Sequence, residues 1–352
     1  MKFPTSLSSL LRQSRQWQNA VGKAMRSAGK IRAKAKPASP VKVAKARPPR
    51  TTRPVRRLIE VATFGSNPGH LRMLEYVPAR LAADSPLVVV LHGCLQSAVD
   101  FDRASGWTSI AREKGFAVLF AEQRQSNNSN LCFNWFRPSA VARDRGELMS
   151  IRQMIDDMCR RHPIAPEHIY VQGLSAGGAM ASALLATYPE RFAGGQIVGG
   201  LPFGAARDAM SALQVMKKGT ARTASEWGDL VRLVSPQLAR RPLISIWHGA
   251  SDTVVNVVNA HQSLRQWLDV YGLAEDKTET VIVKGHKALV WKDEAGRTLI
   301  EFLVVEGMDH GLPLTSLPPG LSGSASRFML PVGLSAPRHL TTTMMKLARP
   351  KL

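Results

Sequence analysis

A serine hydroxyl is a weak nucleophile until a base removes its proton and a carboxylate orients that base. The stretch Gly173-Leu174-Ser175-Ala176-Gly177 has the Gly-x-Ser-x-Gly form that presents such a serine on a sharp strand-to-helix turn. Backbone there is strained, and side chains two positions to either side would collide with the neighbouring strand and helix; hence the two glycines. The partners this chemistry needs follow in the chain order Ser, Asp, His. Asp252 closes the run His248-Gly249-Ala250-Ser251-Asp252, and His310 follows Gly307-Met308-Asp309. A lone aspartate or histidine on a loop is usually a solvated or capping residue. Three such residues, in this order on elements of the right type, point to hydrolysis through an acyl-enzyme. Asp309 is a rival carboxylate, but a residue rarely reaches back to orient the imidazole beside it, so Asp252 takes that role.

The oxyanion formed by attack on a carbonyl needs two backbone donors, one from the residue after the nucleophile and one from a loop after an early strand. Ala176 supplies the first. Cys94, in Leu91-His92-Gly93-Cys94-Leu95-Gln96, is assigned the second, through its main-chain amide. His92 precedes the serine and is expected to brace this loop rather than act as the base. No cluster of His, Cys and Asp has metal-ligand spacing, so no metal or cofactor is expected.

Short apolar runs alternate with helical patterns from Leu58 onward, as a parallel sheet requires. Strands are predicted over 71–77, 87–92, 116–121, 168–172, 193–198, 243–247 and 299–305, with an antiparallel insertion at 281–283 and 287–291. Helices are predicted over 108–114, 145–161, 176–187, 261–271 and 340–347. Asp252 and His310 then both fall just past the carboxyl ends of strands, where α/β sheets collect their sites. Residues 312–338, rich in Pro, Gly and Ser, read as a loop lining the site. No internal repeat is visible.

Taken together, these patches resemble the polyhydroxybutyrate depolymerase family of esterases, which also holds feruloyl and acetylxylan esterases. The resemblance rests on Leu91–Gln96, Glu122-Gln123, Cys132-Phe133-Asn134-Trp135-Phe136 and Gly173–Met180. It continues through Tyr188-Pro189, Phe192-Ala193-Gly194-Gly195, Gly200-Leu201-Pro202, His248–Asp252 and Gly307–Gly311. It spans roughly 60–348. The resemblance implies an α/β-hydrolase fold, with a mostly parallel central sheet flanked by helices. It also implies a Ser175–Asp252–His310 triad, with Cys94 and Ala176 as oxyanion donors. Trp135 lies in a patch resembling a substrate-facing aromatic, though a core tryptophan reads equally well there. Cys94 and Cys132 look like a pair that forms a disulfide near the site in relatives, and Cys159 reads as a buried free thiol. Asp309 departs from the pattern, standing where a small residue is expected; a carboxylate there would favour a protonated imidazole.

The 352 residues carry 47 Lys and Arg against 26 Asp and Glu, but the excess is uneven. Residues 1–57 hold 16 basic side chains and no acidic one, leaving the remainder at only +5. Residues 6–31 place Leu7, Leu10, Leu11, Trp17 and Val21 at helical spacing, predicting a basic amphipathic helix. The Ala, Lys, Pro and Arg alternation of 32–57 predicts a disordered linker. The domain expectation is therefore a basic extension, 1–57, on an esterase domain, 58–352. No stretch approaches the ~18–20 apolar residues that span a bilayer, and the N-terminus lacks the apolar core of a secretory signal. A cytoplasmic location follows, with an organellar transit peptide as the minor alternative. The extension would recruit the enzyme to a polyester granule or another anionic surface; unspecific nucleic-acid binding and no partner at all are the alternatives. The expected activity is ester hydrolysis of polyhydroxyalkanoate or its oligomers. A feruloyl or acetylxylan esterase, or a granule- or nucleic-acid-binding protein on a hydrolase scaffold, are the rival readings.

Overall fold

Seven-residue strands with every side chain buried cannot lie at the surface of a sheet; they must be covered on both faces. The computed structural model, which describes residues 58–238 and 240–347 together with Asn19, Gly22 and Lys23, shows where they go. The strands are β1 (Ile59–Val61), β2 (Arg72–Tyr76), β3 (Ser85–Leu91), β4 (Ala117–Glu122), β5 (Ile164–Leu174), β6 (Gly194–Val198), β7 (Leu243–Gly249), β8 (Glu279–Val283), β9 (His286–Lys292), β10 (Thr298–Val305), β11 (Leu312–Leu314) and β12 (Met329–Pro331). Ten of them form one sheet in the order β1-β2-β4-β3-β5-β6-β7-β10-β9-β8. The six central strands, β4 to β10 in that order, run parallel. Two antiparallel strands finish each margin. Helices at Trp107–Lys114, Gly146–Arg161, Ala176–Thr187 and Val258–Tyr271 connect the strands. This is the α/β-hydrolase architecture. The expected helix over 6–31 lies outside the described residues but for three positions, and the linker 32–57 lies wholly outside. Among the described residues no helix is long and apolar enough to cross a membrane.

After β3 the chain moves outward to β4 and then returns to β5 on the other side of β3. Such a reversal leaves a crevice at the carboxyl ends of the two strands. The turns that follow β3 and β5 carry Cys94 and Ser175.

Two expectations change. The segment 312–338 is not a simple loop: β11 pairs in parallel with β12, a 3-10 turn covers Gly323–Ser326 and the last helix begins at Ala336. Leu312, Leu314 and Met329 are buried there, so a few apolar residues among the Pro and Gly hold the segment down. Helices at Ala98–Ser105, Pro138–Val141, Ala209–Lys218 and Ala224–Arg232 also stand where none was predicted. The apparent insertion, β8 and β9, extends the main sheet at its edge.

The junction of β5 with the Ala176–Thr187 helix is closely packed. A Cβ on Gly173 would collide with the carbonyl of Gly177. One on Gly177 would stand 2.6 Å from the His92 carbonyl oxygen and nearer still to that of Leu91. Beside this junction the segment 123–136 is held by Glu147, whose carboxylate accepts from Asn134 N (2.9 Å), Asn134 Nδ2 (2.6 Å) and Gln123 Nε2 (2.8 Å). Burial pushes this carboxyl up, against those hydrogen bonds.

Gly177→Ala should therefore lower unfolding stability by at least about 2 kcal/mol in urea, by displacing the turn that carries Ser175. Wild-type stability would mean the crossing is looser than described. Glu147→Ala strands three donors in the interior and should cost about 3 kcal/mol by the same measurement.

Candidate active site

Ser175 stands between β5 and the following helix with φ 58° and ψ −118°, a conformation disfavoured for any residue with a Cβ. It is 3% exposed. Its amide donates to Val198 O (2.8 Å), and its carbonyl accepts the first helical bond, from Ala179 N. The Ala176 amide, first in the helix, has no partner one turn back and sits at the positive end of the helix.

The next residue after Val198 links serine to histidine. A Cβ on Gly199 would lie 3.3 Å from His310 Cε1, so Ser175 and the His310 ring flank the same dipeptide. His310 Nδ1 lies 2.7 Å from Asp252 Oδ2. Facing a carboxylate, Nδ1 carries the proton, which leaves Nε2 as the basic nitrogen. That Nε2 is buried with no hydrogen-bond partner among the described residues. Burial alone would push the Asp252 carboxyl up, but the His310 charge and hydrogen bonds from His248 and His310 hold it well below the usual carboxylate range. Its other oxygen, Oδ1, accepts from Val254 N (2.9 Å) and Val255 N (2.7 Å).

Asp309 does not compete for the imidazole. Its Oδ1 accepts from Thr253 N and Thr253 Oγ1 (both 2.9 Å) and from the amide of His310 (2.7 Å). It staples the loop after β7 to the loop after β10, so the aspartate that departs from the expected pattern acts through backbone.

On the opposite side lies the turn after β3. Gly93 N donates to Gln96 Oε1 (2.8 Å) and Leu95 N to Asn130 O (2.7 Å). The amide between them, Cys94 N, has no such acceptor among the described residues. His92 braces this turn, as expected: its Nδ1 meets Gly93 O (2.7 Å) and its Nε2 accepts from Gln123 N (3.1 Å), which fixes one neutral tautomer. Burial pushes its pKa down. Cys94 is disulfide-bonded to Cys132, tying the turn to the 123–136 segment; Cys159 is a free, half-buried thiol. Trp135, in that segment, is 7% exposed and packs edge-to-face against Phe136 (5.7 Å).

Three residues that sequence reasoning passed over also belong here. Gln96 spans from Gly93 N to Arg327 O (2.9 Å). Phe328, at φ 57°, sets its ring edge-on to His310 with centroids 5.5 Å apart. Segment 323–331 therefore lines the site. His248 approaches Asp252 Oδ2 at 3.1 Å. Only its place four residues before Asp252 could have signalled it.

Known proteins resemble this chain in sequence and in fold. The family "Esterase PHB depolymerase" matches residues 72–289. The chain is 38% identical over 288 residues to poly(3-hydroxyalkanoate) depolymerase C of Paucimonas lemoignei, covering 80% of this chain and 69% of that one. It is 33% identical to feruloyl esterase B of Thermothelomyces thermophilus over 61% of this chain and 76% of the relative. Among solved structures, an acetyl xylan esterase from Aspergillus awamori superposes with a TM-score of 0.67 at 23% identity, covering 72% of this chain and 94% of that one, which speaks for the fold. With that family matched over more than half of the chain and the relatives named above being ester hydrolases, the chain belongs to the polyhydroxybutyrate depolymerase family of esterases and is a carboxylic ester hydrolase.

Proposed function

We propose that the protein hydrolyses ester bonds of polyhydroxyalkanoate or its oligomers through an acyl-enzyme, with Ser175 as nucleophile, His310 as base and Asp252 as its orienting carboxylate. The observation that carries this reading is the Asp252–His310 hydrogen bond of 2.7 Å, beside a serine on strained backbone across one shared dipeptide. His310 Nε2 takes the proton of Ser175 as Oγ attacks the ester carbonyl. Asp252 stabilises the imidazolium, and the amides of Cys94 and Ala176 hold the oxyanion. His310 then returns the proton to the leaving alcohol. Water, activated by the same nitrogen, releases the acid. Substrate presses against the mouth made by 131–136 and 327–330, where Trp135 offers an edge.

The polyester reading takes its substrate from the depolymerase relative; a feruloyl or acetylxylan ester is the second reading, from the other relatives. We take residues 58–352 as the esterase domain and 1–57 as an extension whose 16 basic side chains adsorb it to an anionic or apolar surface such as a polyester granule, each charge contributing about 1 kcal/mol near an anionic surface. Disulfides persist in oxidising surroundings, so the Cys94–Cys132 bond weighs against the cytoplasmic location expected from the sequence.

Ser175→Ala should lower turnover of p-nitrophenyl butyrate by at least about four orders of magnitude; wild-type rates would remove this nucleophile. Product analysis on amorphous polyhydroxybutyrate, beside p-nitrophenyl butyrate and a feruloyl ester, should show hydroxybutyrate oligomers as the favoured products. Faster release of ferulate would move the protein to the second reading. Deleting residues 1–57 should abolish co-sedimentation with polymer granules at low salt while leaving p-nitrophenyl butyrate turnover intact. Equal sedimentation without the extension would end the recruitment role, and stronger, salt-sensitive retention on DNA would reassign it.

A further inference from the structure

The carboxylate of Asp252 meets two imidazoles. His310 takes Oδ2 from one side; His248, fully buried at the end of β7, approaches the same oxygen at 3.1 Å from the other. The His248 nitrogen involved, Nε2, also lies 2.8 Å from Val255 O. Both neighbours are acceptors, so Nε2 must carry the hydrogen. The other nitrogen, Nδ1, is buried and has no hydrogen-bond partner among the described residues. The Nε2 hydrogen of His248 is thus shared between the carbonyl of Val255 and the carboxylate of Asp252. Val255 N in turn donates to Asp252 Oδ1 at 2.7 Å. The loop 252–255 is thus closed on itself by one side chain.

From this geometry we infer that His248 is a positioning residue for catalysis, one that fixes the plane of the Asp252 carboxylate and moderates its pull on His310. The inference rests on the Ser175–Asp252–His310 reading. Asp252 receives four donors: Val254 N and Val255 N on Oδ1, His248 Nε2 and His310 Nδ1 on Oδ2. That fills the lone-pair sites of a carboxylate. With all four in place the carboxylate can neither rotate nor concentrate its charge on His310. Without the His248 donor two things follow. The plane of the carboxylate loosens, which degrades the aim of the His310 ring, and Oδ2 keeps more of its charge for His310, which makes the imidazolium easier to form. The other charged or titratable groups around this cluster are Asp309, bound to Thr253 and to the His310 amide, and His261 and Arg265 on the Val258–Tyr271 helix. Burial first, and then the Arg265 guanidinium, push the His261 pKa down.

The test compares His248→Phe, which keeps the ring and removes the donor, with His248→Gln, whose amide nitrogen can replace Nε2. His248→Phe should lower kcat on p-nitrophenyl butyrate by about ten- to a hundredfold through misaligned acid–base geometry. KM should change little, and the acid limb of kcat/KM should move to higher pH. His248→Gln should recover kcat to within a few fold of wild type and return the acid limb to its place. A merely structural role would lower stability without moving the acid limb, and would overturn the proposal. An unchanged kcat in His248→Phe overturns it as well. If His248→Phe does not fold, His248→Gln alone decides: an acid limb at the wild-type position with near-wild-type kcat supports a donor role, and a displaced limb with low kcat overturns it. Ser175→Ala, assayed alongside, separates the failures: activity surviving in that variant discards the triad itself, whereas its loss with insensitive His248 variants discards only the positioning role.

Discussion

At Gly177 there is no volume for a side chain, because the carbonyls of Leu91 and His92 at the end of β3 already occupy it. The helix that begins at Ala176 can approach β3 this closely only where a glycine lets backbone meet backbone. From that approach follow the strained backbone at Ser175 and the crevice past the carboxyl ends of β3 and β5. A longer side chain would push the helix start away from the turn after β3. The geometry of this turn is thus a consequence of exclusion as much as of attraction.

The apparatus around the carboxylate works differently. Asp252 lies in the interior, where an isolated charge would be costly, and it stays ionised because four donors surround it. Two of these are backbone amides of its own loop, fixed once residues 252–255 turn. Asp309 binds that loop to the strand-end turn bearing His310, with one carboxylate oxygen accepting from both sides. His310 and Asp252 are therefore joined twice, through side chains at Asp252 and through backbone amides at Asp309. A single loop shift cannot separate them without breaking both.

The central strands were legible because burial on both faces leaves Leu87–Leu91 of β3 and Ala117–Ala121 of β4 as unbroken apolar runs, a signal that survives without knowing their neighbours. The nucleophile turn was legible for a related reason: steric exclusion leaves glycine behind. Helices at Ala98–Ser105, Ala209–Lys218 and Ala224–Arg232 escaped because their apolar stripes are short, although each is announced by a cap. Ser97 accepts from Asp100 N, Asp208 from Ser211 N, and Thr223 from Glu226 N. The pairing of β11 with β12 was hidden among prolines and glycines, since two three-residue strands carry almost no periodicity. Gln96 and Phe328 could not be read, because their partners are set by topology: Arg327 lies 231 residues from Gln96, and Phe328 meets His310 only once segment 323–331 folds over it.

The turn at 93–95 shows why the site tolerates so much loop at its mouth. It is tied by a disulfide to Cys132, by Gln96 to Arg327 O, by Leu95 N to Asn130 O and by His92 to Gln123 N. The disulfide closes a span of 38 residues, which by chain entropy alone contributes about 4 kcal/mol. The segment it reaches is separately anchored by Glu147, whose buried carboxylate takes three donors from Gln123 and Asn134. These ties do different jobs. Gln96 and His92 occupy the Gly93 amide and carbonyl, and Leu95 N is taken by Asn130 O, which leaves Cys94 N as the amide of this turn without an acceptor among the described residues. The disulfide and Glu147 then hold the aromatic-bearing rim of 133–136 at a fixed distance from that amide. In the proposed reaction, discrimination between a flexible polyester and a rigid feruloyl ester rests on contacts made in the transition state, and a segment tied this firmly to the 93–95 turn keeps such contacts in place.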